Sequence, residues 1–418
     1  MTPQPTARAL RRAVFVNRFY FPDESATSQI LTDLARDLAG RGWDVTVITS
    51  RSANTSERAL PLLETDHGVR IVRVRATHFG RRTTLHRIAD FASFYPVALG
   101  ALLRELRRGD VVVAKTDPPL VSAVAALAAS IRGARLVNWL QDLYPEVAHA
   151  LGEPLARGPL TPLLKAVRNW SLRRAALNVA IGVTMRARIA EIVPSDTRLE
   201  VVPNWTSEEA IEPIAAANSR ARARWGYSEK DVVICYSGNL GRAHEADTLL
   251  GAMDLLRHRT EVHFLMIGGG VEYARLQREA AHRGLPRLRF EPHQPREALA
   301  DSLAAGDIHW LSLRPELEGL IVPSKFYGIL AAARPVVAVV AADGEIANEI
   351  ARLGCGIVVT PGDSSGLAQA IITLTSNPNL RSQMGEAGRR GIVGELSKRA
   401  SLDRWHSLLS GVTAETRR

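Results

Sequence analysis

The chain has 418 residues, 46% of them hydrophobic and 23% charged, which excludes a disordered protein and predicts two large domains. Its net charge of +10 is confined to one half: residues 1–206 hold 28 Lys and Arg against 18 Asp and Glu, and the remainder 25 against 25. The first half is therefore expected to meet an acidic partner such as nucleic acid, anionic lipid or a diphosphate, while Cys235 and Cys355, each in an apolar run, read as buried thiols of a reducing cytoplasm.

The start is basic, and the apolar stretch after it is broken at once by Asn17 and Arg18, so neither a signal peptide nor a membrane span is expected. No run of about 18 apolar residues follows elsewhere. Residues 13–17 predict a strand, 28–40 an amphipathic helix ending in Gly, and 44–50 a second strand, a βαβ opening. Further strands are predicted at 69–74, 111–115, 135–140, 178–181 and 199–202, with helices at 84–108, 120–132 and 163–176. This alternation predicts a parallel, doubly wound sheet. The stretch 81–108 joins Arg81, Arg82, Arg87, Arg104, Arg107 and Arg108 to Phe91, Phe94, Tyr95, Leu99, Leu102 and Leu103. It reads equally as a helix resting on anionic lipid and as one buried on the sheet.

A linker is expected at about 203–218, dividing the chain into domains 1–205 and 206–418. The pattern then restarts, with strands at 232–236, 262–267, 288–290, 308–311, 336–340 and 356–359 separated by helices. A last helix at 401–410 carries Leu402, Trp405, Leu408 and Leu409 on one face and is expected to pack back across the hinge. The fold class is α/β, two tandem Rossmann-like domains facing a central cleft.

In open parallel sheets, ligands bind at the carboxyl ends of the strands. The polar residues expected there are Asn17, Arg18, Asp117, Asp142 and Glu146 in the first half, and Arg242, Gly268, Gly269, Glu316, Glu318 and Lys325 in the second. Gly238, Asn239 and Gly241 precede Arg242 where a strand hands over to a helix, and Pro323, a capping Ser324 and Lys325 open another helix. Free N–H groups and the positive dipole end make such places anion sites, and glycines let the backbone approach the ligand. There is no Asp-x-Asp pair, no His spacing for a metal and no Gly-x-x-x-x-Gly-Lys-Ser/Thr loop. Arg18-Phe19-Tyr20-Phe21-Pro22 stands where a dinucleotide fingerprint would, which argues against NAD. Nucleic acid is not expected as a partner, because the cationic excess lacks interleaved aromatics.

Together with Leu38 to Val47, Asp117-Pro118-Pro119, Asp142-Leu143-Tyr144-Pro145-Glu146 and Glu318-Gly319-Leu320, these segments resemble the retaining glycosyltransferases of family 4. The likeness is to the branch that builds bacterial O-antigens, capsules and exopolysaccharides, whose fold is called GT-B. The resemblance implies a nucleotide-diphospho-sugar donor, UDP-linked, on the second domain. It implies a polyprenyl-diphosphate-linked glycan acceptor on the first, and a site at the inner face of the cytoplasmic membrane. Transfer would proceed with retention, by front-face attack, without metal or other cofactor. Arg242 and Lys325 would hold the leaving diphosphate, with Gly238, Asn239, Gly241, Gly268, Gly269, Glu316, Glu318, Gly319, Leu320, Pro323 and Ser324 around the donor. Asp142 would position substrate, with Asn17, Arg18, Asp117 and Glu146 around the acceptor. Two departures stand out: the family's companion Lys is missing, with His244 and Lys325 as candidates and Lys325 preferred, and Gly328 stands where a ribose-binding Glu is usual. A UDP-sugar 2-epimerase of the same fold, and a non-catalytic partner subunit or glycan-binding protein, remain alternatives.

Overall fold

A computed structural model describes residues 11–23, 25–51, 60–77, 79, 84–153, 156 and 158–414. The described residues form two compact units, the first comprising the chain to Ile181, Met185–Val202 and everything from Leu402 onward. Its sheet contains β1 (Arg12–Val16), β2 (Asp44–Ser50), β3 (Leu63–Asp66), β4 (Val69–Val74), β5 (Val111–Ala114), β6 (Arg135–Leu140), β7 (Leu177–Ala180) and β8 (Leu199–Val201). The order is β3-β4-β2-β1-β5-β6-β7-β8, parallel except where β3 joins β4. β1 and β5 are almost wholly apolar because helices cover both faces of a parallel sheet, and the chain reverses its winding between them. The helix Ala26–Gly40 buries Ile30, Leu31, Leu34 and Leu38 at helical spacing.

Two features of this unit differ from the sequence expectation. β3 is an edge strand with alternating exposure, joined to β4 by a tight turn in which His67 and Gly68 both have positive φ. The predicted helix at 84–108 ends at Glu105. Phe94 and Leu102 lie in the core, and Tyr95, Leu99 and Leu103 pack against it, so the later turns of its apolar face are buried in its own unit, while Leu85 and Ile88 near its start are exposed. Arg81 and Arg82 lie outside the described residues.

The second unit comprises Pro203–Ser401 with Gly182–Thr184. Its parallel sheet contains β9 (Val232–Asn239), β10 (Val262–Gly269), β11 (Leu288–Glu291), β12 (Ile308–Ser312), β13 (Val336–Val339) and β14 (Gly356–Val359), in the order β11-β10-β9-β12-β13-β14. The winding reverses between β9 and β12. Two arginines hold the first stretch of this unit. Arg389 donates to the carbonyls of Glu208, Ile211 and Ala331 at 3.1, 3.1 and 2.8 Å, and Arg334 to that of Ile214 at 2.8 Å. Cys235 and Cys355 are buried free thiols, and burial pushes the Cys355 thiol up to about 12.

The helix Lys398–Ala414 enters the first unit at Leu402. Leu402, Trp405, Leu408 and Leu409 are buried as their spacing predicts, and the Trp405 ring lies 4.6 Å from that of Trp139 on β6. No helix among the described residues is long and apolar enough to cross a membrane.

Candidate active site

The second unit's cluster is built on glycine. β9 and β10 pair in register to Gly238 with Gly268 and Asn239 with Gly269, and Leu240 then donates to the Gly269 carbonyl at 2.7 Å. Gly268 and Gly270 have φ of +133° and +122°, and a Cβ on either would overlap the backbone carbonyl of Gly238 or Leu240. Only glycine lets the two strand ends run this close. Gly238 has φ +137°, and the space a Cβ would take there is filled by the end of the Lys325 side chain.

Lys325 is largely buried along that glycine, its ammonium 5.5 Å from the centre of the Tyr236 ring. Burial lowers its pKa to about 8, so it is mostly charged at neutral pH while held in a poorly solvated place that a phosphate would relieve. His244, the other candidate cation, is buried. Its Nδ1 lies 2.8 Å from the Ser312 carbonyl and its Nε2 3.2 Å from the Tyr236 hydroxyl. Burial, and then the charge of Lys325, lower its pKa to about 3, so it is a neutral tie between β9 and β12. Arg242 is exposed on the same turn after Gly241, and Ala243 accepts the Arg314 N–H at 2.9 Å, joining that turn to the loop after β12.

That loop separates the two glutamates. Glu316 is exposed, 3.6 Å from Arg314, whereas Glu318 is buried and accepts the Glu345 N–H at 3.3 Å. Gly319 turns the chain with φ +72°, and Leu320 is in the core. Ser324 does not cap as expected: it is already helical and makes no capping bond, because the Pro323 carbonyl takes the Phe326 N–H. The helix Lys325–Ala331 has only seven residues, so the Lys325 side chain, more than the helix end, carries the positive charge. At Gly328 an added Cβ would meet only Leu303, at 3.9 Å.

The first unit's cluster lies where β1 and β5 end. Asn17 is fully buried and donates to the Phe19 carbonyl at 2.7 Å. Arg18 pairs with Asp90 at 2.9 Å, lies against the rings of Phe19 and Phe91, and donates its main-chain N–H to the Asp117 carbonyl at 2.7 Å. Asp142 follows β6 at the surface. The surrounding protein first, and the Asp117 carboxylate second, push its pKa up to about 6 against the pull of Lys115 and Thr116. Solvent at its open side softens the first effect, leaving the neighbouring charges to decide.

Glu146 is committed elsewhere, to a two-pronged pair with buried Arg168 at 2.9 and 3.1 Å. Glu146→Ala is expected to lower stability by about 2 kcal/mol, because it strands a buried guanidinium. Urea denaturation would measure this; an unchanged midpoint with weakened acceptor binding would return Glu146 to the acceptor. Two neighbours of the site escaped the sequence reading. His293, after β11, lies beside Gly268 and Gly269, and Lys115 is buried after β5. Among the described residues no three His, Cys, Asp or Glu are grouped as a metal site.

Two Rossmann-like units, the second with a glycine-walled cationic turn at its switch point, are the architecture of GT-B glycosyltransferases. Residues 26–205 match the family described as Glycosyl transferase 4-like domain and residues 218–391 that described as Glycosyl transferases group 1, and the chain belongs to this two-part glycosyltransferase family. It is 27% identical to the probable glycosyltransferase WbjE of Pseudomonas aeruginosa over 76% of this chain and 78% of that one. It is 28% identical to the putative colanic acid biosynthesis glycosyl transferase WcaI of Escherichia coli over 60% of this chain and 62% of that one. Among solved structures, Anabaena HepE in complex with UDP superposes with a TM-score of 0.71 at 16% identity, over 96% of this chain and 100% of that one. At that identity the likeness is one of fold.

Proposed function

We propose that the protein transfers a sugar, with retention, from a UDP-sugar to a polyprenyl-diphosphate-linked glycan in bacterial surface-polysaccharide synthesis. The observation that carries this reading is Lys325 laid across Gly238. A half-buried ammonium laid against the glycine turn that carries Arg242 is the arrangement a departing diphosphate needs as charge builds on it. UDP in HepE and colanic acid in the name of WcaI favour the donor and the pathway class. Arg242 and Lys325 stabilise the leaving group; its oxygen takes the proton of the attacking hydroxyl on the same face. Asp117 and Asp142 orient the acceptor.

These cations supply the charge that a metal would otherwise bring, so transfer is expected to survive EDTA. The test is incubation of UDP-sugars with a lipid-linked glycan, with the product anomer read by NMR. An α product from an α donor in EDTA is the expected result. Inversion, or strict dependence on added Mg²⁺, would contradict the mechanism, and conversion of the donor sugar without acceptor would identify an epimerase.

The surface that suits an anionic membrane is formed by the helices Val121–Arg132 and Thr161–Arg174. They leave Leu127, Ile131, Leu163 and Trp170 exposed beside Lys165 and Arg173. Flotation with anionic vesicles, and its loss in Leu163→Glu/Trp170→Glu, is the expected result; equal flotation of both forms would place the contact elsewhere.

A further inference from the structure

A cavity of about 580 Å³ lies in the second unit at the end of the sheet opposite the Gly238 turn, for Asp307 and Arg334 in its wall stand just before β12 and β13. Four arginines line it: Arg334, and Arg381, Arg389 and Arg390 of the helix Pro378–Val393. Arg334 donates through Nη2 to the Ile214 and Ala304 carbonyls at 2.8 and 3.0 Å, and Arg381 through Nη1 to those of Leu374 and Thr375 at 2.6 and 2.9 Å. Arg389 uses Nη1 alone for its three carbonyls. Each of the three thus spends one terminal nitrogen on the protein and, among the described residues, keeps the other without a partner. Arg390 is exposed and has no hydrogen bond or ion pair among them. A carbonyl fixes a guanidinium without cancelling its charge, and the two carboxylates in the wall do not supply the difference. Asp307 is already paired with Arg222 at 2.8 Å and accepts the Val233 N–H at 2.8 Å, and exposed Glu386 accepts the Ser382 hydroxyl at 3.1 Å. The Arg334 Nε is enclosed with no acceptor. Burial lowers the Arg334 pKa, with Asp307 pulling it up and Arg222 and Arg381 pushing it down. Crowded cations without counter-charges are costly, and an anion in the cavity would relieve them.

We propose that this cavity is a third ligand site, apart from donor and acceptor, which binds a small phosphorylated sugar with its phosphate on the unpartnered guanidinium nitrogens and its hydroxyl groups on the carboxylates of Asp307 and Glu386. The class of ligand follows from the walls. Guanidinium forks match phosphate oxygens, and carboxylates accept hydroxyl protons. The volume is that of a small-molecule cavity, about 300–1,000 Å³, and is more than a bare phosphate fills. No aromatic ring among the described residues lines it to stack a base, which argues against a nucleotide. Its place argues the same way. Nucleotides bind beyond the carboxyl ends of the strands, where the Gly238 turn lies, and this cavity is at their amino ends.

The test is calorimetric titration of the full chain with glucose 1-phosphate, and with inorganic phosphate and glucose for comparison, in wild type, Arg390→Gln, Arg381→Gln/Arg390→Gln and Lys325→Met. Arg390 has no partner to lose, so Arg390→Gln is expected to fold, and melting temperatures identify the folded variants. Glucose 1-phosphate is expected to bind wild type and Lys325→Met equally, about tenfold more weakly in Arg390→Gln, and not measurably in the double variant. Inorganic phosphate should bind more weakly than the sugar phosphate, and glucose not at all. No binding of glucose 1-phosphate to wild type, or an affinity unchanged in both folded arginine variants, would overturn the proposal. Loss of binding in Lys325→Met with retention in the arginine variants would also overturn it, by putting the phosphate at the donor turn. Inorganic phosphate bound as tightly as glucose 1-phosphate would overturn the assignment to a sugar.

Discussion

Lys325→Met is expected to raise the melting temperature by a few degrees while removing most of the affinity for UDP. The two effects have one cause. The ammonium is held where burial disfavours its charge, lowering its pKa from 10.5 to about 8. The unfolded chain therefore binds the proton more tightly than the folded one. Below about pH 8 the folded state bears this cost in full, and it fades as pH rises toward 10.5. Met keeps the apolar body of the side chain as far as Cε and omits the charge, so the gain is on the order of 1–2 kcal/mol once the lost contact with Tyr236 is subtracted. It should shrink as pH approaches 10.5. Activity should fall about 10²–10³-fold, as when one preorganised charge contact to a developing oxyanion is removed. Thermal melts from pH 7 to 10.5 with UDP titrations check both halves. A variant that melts lower at pH 7 and binds UDP normally would show that Lys325 is a packing residue.

Gly238→Ala is expected to cause the same loss of UDP affinity by displacing that ammonium, this time with a loss of stability. The new methyl overlaps the Lys325 Cε, and φ of +137° strains any L residue, for a combined cost of about 1–3 kcal/mol. In the Lys325→Met background the side chain still reaches to Cε, the atom the methyl overlaps, so the steric part persists. In Lys325→Ala it disappears, and the two changes should couple by at least about 0.5 kcal/mol in a double-mutant cycle read by urea denaturation. Strict additivity would mean that the lysine does not occupy the glycine's space. Gly268→Ala is the harsher change, because there the methyl meets the immovable Gly238 carbonyl and no second substitution can make room.

Most of this architecture was legible in the amino-acid order because each central strand is a short apolar run closed by Gly or a polar residue, and each covering helix repeats its apolar residues at helical spacing. β3 was not, since Leu63–Asp66 alternates on an exposed edge and reads as loop. The helix Val183–Ala190 was missed for a similar reason, burying only Met185 and Ile189. Glycine and cation types located the second unit's cluster, but which cation counts depended on packing. His244 and Lys325 are both candidates in sequence, with Lys325 preferred, and it is the burial of His244, visible only in the packing, that makes it neutral. Glu146 shows the converse. It lies in the same short segment as Asp142, yet Arg168, 22 residues later, takes its carboxylate. Lys115 reads as the polar end of a strand, and only the return of the chain's last helix, with Trp405 against Trp139, shows how deeply it is enclosed.

The most direct measurement is calorimetric titration of the wild-type chain with UDP, GDP, TDP and ADP in EDTA, repeated with Arg242→Ala and Lys325→Met. Binding of UDP in preference to the others, weakened at least about tenfold in both variants, is the expected result. Binding of no nucleotide, or binding that both variants retain, would contradict a donor site at the Gly238 turn.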